Sequence, residues 1–207
     1  MAKLSLNKVE NLSASMAVRA LLLEVDAARA SVLKRAINDC GYQLLERIRA
    51  ADELLAAVEH FQPNCLVVGI DLPDSNTLQM LATLNELAPL PVVMFAEKDT
   101  PQIIQKVVAA GVSAFVVDDI QPSRLSSIIS VAMARFNEQQ QLKTQLKETQ
   151  NKLEERKLLD KAKGLLMKQK GYSEDEAYKN LRKMSMDKGE SMGRVAQSII
   201  DVFALID

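Results

Sequence analysis

Apolar residues fall along this chain in two rhythms, and the change between them divides it. Between residues 18 and 120, short runs in which almost every residue is apolar alternate with stretches whose apolar residues recur every three or four positions. The runs ALLLEV (20–25), YQLLER (42–47), CLVVGI (65–70), PVVMFA (91–96) and AFVV (114–117) predict strands, the second being the weakest. Helices are predicted between them. One spans 27–39, with Val32, Leu33, Ala36 and Ile37 at helical spacing and Gly41 as its terminator. Another spans 51–61, with Leu54, Leu55, Ala57 and Val58. Two more span 78–87 and 100–110, the last closed by Gly111.

Five strand–helix units with nearly continuous apolar strands predict a parallel sheet covered on both faces. Residues 18–135 therefore read as a doubly wound α/β domain of flavodoxin-like type, whose functional crevice lies beyond the carboxyl ends of its strands. The rhythm then becomes purely helical: no Gly or Pro occurs between Pro122 and Gly164. Leu142, Leu146, Thr149 and Leu153 follow a 4-3-4 spacing rimmed by Gln, Lys and Glu. Over 136–155 this predicts a coiled-coil linker helix with a dimer seam at Leu142, Leu146 and Leu153; the alternative is a single solvated helix. Residues 152–207 read as a bundle of three helices. GYS (171–173) breaks the first, and Ser173 with Glu176 forms a capping box for the second, which carries Ala177, Leu181 and Met184 on one face. Ser191 is the predicted N-cap of the third, lined by Val195, Ile199, Val202 and Ile206. Residues 1–17 read as a loosely ordered arm.

Charge adds one detail. The 207 residues carry a net charge of −1, so bulk charge does not announce a polyanion partner. Residues 152–207 nevertheless hold a net +2 against −3 for the rest, which confines any polyanion site to a patch on one face. Cys40 and Cys65 stand outside any metal-ligand spacing and read as buried reduced thiols. His60 is the only histidine and reads as a helix-end surface residue. No nucleophile–base pair and no phosphate-cradling glycine loop is legible, which argues against an enzyme, a metal centre or a cofactor. With no run of ~18 apolar residues, a soluble cytoplasmic protein without membrane contact is expected.

The patch is visible in KAKGLLMKQKG (161–171). At about 100° per residue, Leu158, Leu159, Ala162, Leu165 and Leu166 share one side of the first helix. Lys157, Lys161, Gly164 and Lys168 share the opposite side, with Arg156, Lys163 and Lys170 at its edge. A mid-helix glycine costs roughly 1 kcal/mol relative to alanine, and Gly164 has no packing reason to be there. Lys179, Arg182 and Lys183 repeat the cationic face on the second helix, opposite Ala177 and Leu181. Two such faces can form a groove for phosphates, whereas the plainer reading is a solvated lysine face. Of the two tail tyrosines, Tyr178 is expected to pack on the core, leaving Tyr172 in the turn to stack on a base.

The α/β half resembles a response-regulator receiver. That resemblance implies a phosphorylation site of four parts: acidic residues after strand one that hold a divalent cation, an aspartate after strand three, a hydroxyl after strand four and a lysine after strand five. Here the parts depart from the pattern. Glu24-Val25-Asp26 breaks the acidic pair, the acceptor position falls on Gly69, strand four ends at Ala96, and Asp118 and Asp119 follow strand five. Asp71, two residues beyond Gly69, is set aside as acceptor by the strand register. The domain therefore reads as a pseudo-receiver, kept for protein contacts. The tail resembles an ANTAR domain through AKGLLM (162–167), Gly171-x-Ser173-x-x-Glu176-Ala177, Leu181-Arg182 and Val195-Ala196. It looks most like the NasT-type regulators of nitrate and nitrite assimilation, and next most like the amidase-operon antiterminators. The resemblance implies binding to paired stem-loops in a leader mRNA, which precludes a terminator. It also implies control by a nitrate-sensing protein partner rather than by phosphorylation. A response regulator acting on DNA and a protein adaptor are the rival readings.

Overall fold

The computed structural model describes residues 18–117 and 122–204. The predicted arm over 1–17, Asp118, Asp119 and Ile206 lie outside the described residues. The chain divides into two compact units, 1–139 and 140–207.

In the first unit the predicted order stands: β1 (Arg19–Glu24), α1 (Ala27–Asp39), β2 (Gln43–Ile48), α2 (Leu54–Phe61), β3 (Cys65–Ile70), α3 (Ser75–Leu87), β4 (Val92–Ala96), α4 (Pro101–Ala109) and β5 (Ala114–Val117). A short 3-10 turn, Ala51–Glu53, leads into α2. The strands form one parallel sheet in the order β2-β1-β3-β4-β5, a flavodoxin-like arrangement. Alternation along each strand sends residues to opposite faces. Leu21, Leu23, Leu66, Val68 and Met94 meet α2, α3 and α4 through Leu54, Val58, Leu81, Leu84 and Val107. Ala20, Leu22, Cys65, Val67, Val93 and Phe95 meet α1 through Leu33, Ala36 and Ile37, and meet the start of the long helix α5 (Pro122–Lys170) through Leu125, Ile129 and Ala132. Continuous apolar strands are thus the direct consequence of two covered faces.

Some expectations need correction. Val32 is exposed, and Ala30 takes its place in the buried stripe of α1. Strand β1 stops at Glu24, and Val25 is exposed because the chain turns there toward its cap at Asp26. Helix α3 begins earlier than 78, since Asp74 accepts the Thr77 backbone N–H and caps it. Cys65 is buried as expected, and burial pushes its thiol up to about 12, but Cys40 is only half-buried at the end of α1. Gly41 and Gly111 both take positive φ, 73° and 84°, as chain terminators of α1 and α4 require.

The second unit packs the last turns of α5 with α6 (Glu174–Lys188) and α7 (Met192–Ala204). Its core is Ala162 and Leu166 from α5, Ala177 and Leu181 from α6, and Val195, Ala196, Ile199 and Ile200 from α7. Leu158, Leu159, Leu165 and Met184 pack at its margin. Val202 is exposed rather than core-facing, and Ile200 is buried in its place. The tyrosine assignment is reversed: Tyr172 packs against the core and Tyr178 is exposed, because the turn folds Tyr172 back over the bundle. The capping box closes, with Ser173 Oγ accepting from the Glu176 N–H at 3.3 Å and the Glu176 carboxylate accepting from the Ser173 N–H at 2.8 Å. Glu155 of α5 accepts from the Gly193 N–H at 3.2 Å, where an added Cβ would press on its Cγ. That contact anchors the first turn of α7, helped by Ser191, whose hydroxyl accepts from the Arg194 N–H. Ser173→Ala is expected to destabilise the helical unit by about 1 kcal/mol in urea unfolding followed by helix signal; no change would place the boundary of α6 elsewhere.

Candidate functional site

Helix α5 buries Ala162 and Leu166 toward the bundle, and this fixes its opposite side outward. Lys157, Lys161 and Lys168 are exposed there, and Gly164 lies between them. Beyond its chain neighbours and the local helix backbone, no heavy atom stands within 4 Å of the position a Gly164 Cβ would take, so no packing contact among the described residues requires glycine at this point. On α6, Arg182 and Lys183 are exposed opposite the buried Ala177 and Leu181. None of these five cations forms an ion pair among the described residues. Two others behave differently. Lys163 keeps only 18% of its side chain exposed and bridges Asp160 at 3.0 Å and Glu174 at 2.9 Å. Glu174 first, then Asp160, holds its ammonium above the usual lysine range. Lys163 thus ties α5 to the start of α6. Lys179 pairs with Asp175 at 2.5 Å, which raises its pKa, though both side chains remain solvent-exposed.

Sequence reasoning missed Tyr178 as an exposed ring on α6. It stands one turn before Arg182 and is 44% exposed, which places an aromatic ring among cations. The signal was available, since Tyr178 lies next to Ala177 and so is rotated off the buried stripe.

At the carboxyl ends of the strands of the first unit, Glu24 and Gly69 are register partners on β1 and β3, and Ile70 pairs with Ala96 on β4. The four-part comparison drawn from the sequence therefore falls on residues at one edge, apart from Asp118, which lies outside the described residues. Glu24 is fully buried. A Cβ added at Gly69 would collide with the Glu24 carboxylate, so the space beside the acceptor position is already filled. Gly69 and Ala96 offer no side-chain oxygen for phosphoryl transfer or for binding the transferred group.

The carboxylate of Glu24 meets Arg29, from the first turn of α1, and Arg29 reaches further to Asp71 and Glu97. Glu24's hydrogen bond, with those of Asp71, raises the pKa of the guanidinium. Arg29, Asp71 and Glu97 were not foreseen as a group, because they converge from the first turn of α1 and from the loops after β3 and β4. A cleft of about 600 Å³ beside them is lined by Asp26, Arg49, Asp52, Asp74 and Asn76, among others. Among the described residues, no group of three or more His, Cys, Asp or Glu is arranged to hold a metal ion, and no helix is long and apolar enough to cross a membrane.

This fold and this edge define a receiver-type regulatory domain followed by a helical unit. The response regulator receiver domain family matches residues 20–130, more than half of the chain, and the chain belongs to that family; an ANTAR domain matches residues 147–200. The transcriptional regulatory protein PdtaR of Mycobacterium tuberculosis is 25% identical over 183 residues, covering 88% of this chain and 89% of that protein. The nitrate regulatory protein of Klebsiella oxytoca is 41% identical over 78 residues, which are 38% of this chain and only 20% of that protein. Among solved structures, a CheY-like receiver domain protein from Methanospirillum hungatei superposes with a TM-score of 0.52 at 22% identity, covering 59% of this chain and 98% of its own. The signal receiver domain of a modulated diguanylate cyclase from Desulfovibrio desulfuricans gives 0.54 at 16% identity, with the same coverage. These two likenesses concern the fold alone.

Incubation with acetyl phosphate and Mg²⁺ is expected to leave the intact mass unchanged. A phosphoryl adduct mapped to Asp71 would overturn the reading of this edge.

Proposed function

We propose that this chain is an RNA-binding transcription antiterminator. The observation that carries the reading is the exposed cationic side of α5, interrupted by a glycine with open space around it, within a matched ANTAR domain. Lys157, Lys161 and Lys168 supply point charges for phosphates on α5, and Arg182 and Lys183 supply further ones on α6. Gly164 lets a nucleic-acid backbone approach the helix between Lys161 and Lys168. Lys163 and Lys179 serve the same surface less directly, since acidic neighbours already neutralise them. Tyr178 offers a ring for stacking a splayed loop base, the usual way single-stranded RNA is read.

The targets in this reading are paired stem-loops in the leader of a nascent transcript. Their stabilisation excludes the overlapping terminator, and transcription continues. The protein makes and breaks no bond. Two hairpins suit a homodimer, and Leu142, Leu146 and Leu153 are 60%, 60% and 54% exposed in the single chain, so the seam is free for a second copy. The short match to the nitrate regulatory protein of Klebsiella oxytoca supports genes of nitrate or nitrite assimilation. Control enters through a nitrate-sensing protein partner and not through phosphorylation, since Gly69 and Ala96 supply no phosphoryl chemistry. The protein works in the cytoplasm, where the transcript is made, and needs no cofactor.

The test is an electrophoretic shift with the leader RNA of its own operon. Lys161→Ala combined with Lys168→Ala is expected to weaken binding across RNA sequences and to reduce the salt slope by roughly 1 to 2. Gly164→Leu is expected to keep the helix content and yet reduce binding. Unchanged affinity in the lysine variant places RNA on another face, and retention of only duplex DNA favours a DNA-binding regulator.

A further inference from the structure

Receiver chemistry depends on a divalent cation held by acidic loop residues, and such ions take oxygen ligands at ~2.1 Å with little tolerance for distortion. In this chain the carboxylates at that edge face something else. Arg29 Nε donates to Glu24 Oε2 at 2.5 Å and Nη2 donates to Glu24 Oε1 at 3.0 Å, a two-pronged pairing. Its Nη1 donates to Asp71 Oδ1 at 2.6 Å and to Glu97 Oε1 at 2.8 Å. One guanidinium therefore draws together the loops that follow β1, β3 and β4. The other acidic residue of the first loop is committed elsewhere, since Asp26 accepts the Arg29 backbone N–H at 2.7 Å as the cap of α1. A divalent ion does not fit beside this guanidinium, because it would share the same carboxylates with a like charge.

We infer that Arg29 is a tethered cation that takes the place of the receiver's divalent ion, making the three-loop edge independent of metal. Glu24 is fully buried and needs a positive partner; Arg29 supplies one that cannot dissociate. Backbone contacts hold the same arrangement. Asp71 O accepts the N–H groups of Glu97 and Lys98, both at 3.2 Å. Arg47 donates to the carbonyls of Glu24 and Val25 at 2.9 and 2.7 Å, and the Asp26 N–H donates to Glu24 Oε1 at 2.8 Å. The side chains of Asp71 and Glu97 are largely exposed, so they can turn inward if the guanidinium is removed. Without Arg29, Glu24, Asp71 and Glu97 become a set of oxygen ligands of the type a hard divalent ion takes.

The inference rests on the phosphorylation-independent reading of this half, but its test reads metal binding. A phosphoryl adduct overturns that reading, whereas metal binding by the native chain overturns only the inference. Mn²⁺ is titrated calorimetrically into the full chain and into Arg29→Gln, with thermal melts in MnCl₂ against NaCl of equal ionic strength. The native chain is expected to show no saturable binding and no Mn²⁺-specific shift in Tm. Arg29→Gln is expected to bind Mn²⁺ saturably, at least roughly tenfold more tightly than the weakest binding the titration of the native chain would detect, and to gain Tm in its presence. Adding Glu24→Gln to that variant is expected to abolish the binding. Equal binding by the native chain, a folded Arg29→Gln without binding, or binding that survives loss of Glu24 overturns the inference. If Arg29→Gln does not fold alone, it is refolded with Mn²⁺: recovery of the native circular dichroism supports the tethered cation, and failure to recover overturns it.

Discussion

A buried carboxylate cannot stand alone, and the way Glu24 is neutralised organises the whole functional edge of the sheet. Removing one partner of such a pair costs about 3 to 5 kcal/mol, far more than any exposed ion pair in the molecule contributes. Arg29 neutralises Glu24 from within α1, and α1 is itself started by Asp26 accepting the Arg29 N–H. Gly69 is the counterpart on β3, because only a residue without a Cβ leaves room for the Glu24 carboxylate. The same glycine removes the acceptor aspartate. One packing solution thus explains the closed edge and the missing oxygen together.

The helical unit solves a different problem. The last turns of α5 and two short helices share a small apolar core, built around Ala162, Ala177 and Ala196 as well as the leucines and isoleucines. Small residues let the helices approach, and local devices fix their ends: the Ser173–Glu176 box, Glu155 on Gly193 and Lys163 on Glu174. With the interior settled by these contacts, the outward side of α5 is free of structural duties. Lys157, Lys161, Gly164 and Lys168 occupy that side, exposed and outside the apolar core.

Much of this was legible in the sequence. Strands β3 and β5 match their apolar runs residue for residue, whereas β1 and β4 differ from theirs by a residue at one end or both. The lysine stripe and Gly164 were equally legible, because a helix wheel needs only spacing. Contacts between segments distant in sequence were not. Nothing local marks Arg29 as the partner of Asp71 and Glu97, 42 and 68 residues away. Helical spacing alone groups Lys163 with the free lysines, because its acid Glu174 lies beyond the turn. Tyr172 and Tyr178 were exchanged because the path of the turn, and not helical spacing, decides which ring reaches the core.

RNA, in the reading proposed above, meets this chain on the glycine-interrupted lysine face. Ultraviolet cross-linking of the chain to the leader RNA of its own operon, with mass-spectrometric mapping of the nucleotide adducts, tests it most directly. Adducts are expected within residues 157–168 and 178–183, with their loss at high salt. Adducts confined to residues 18–117, or none in the helical unit under conditions where the RNA is retained, would contradict it.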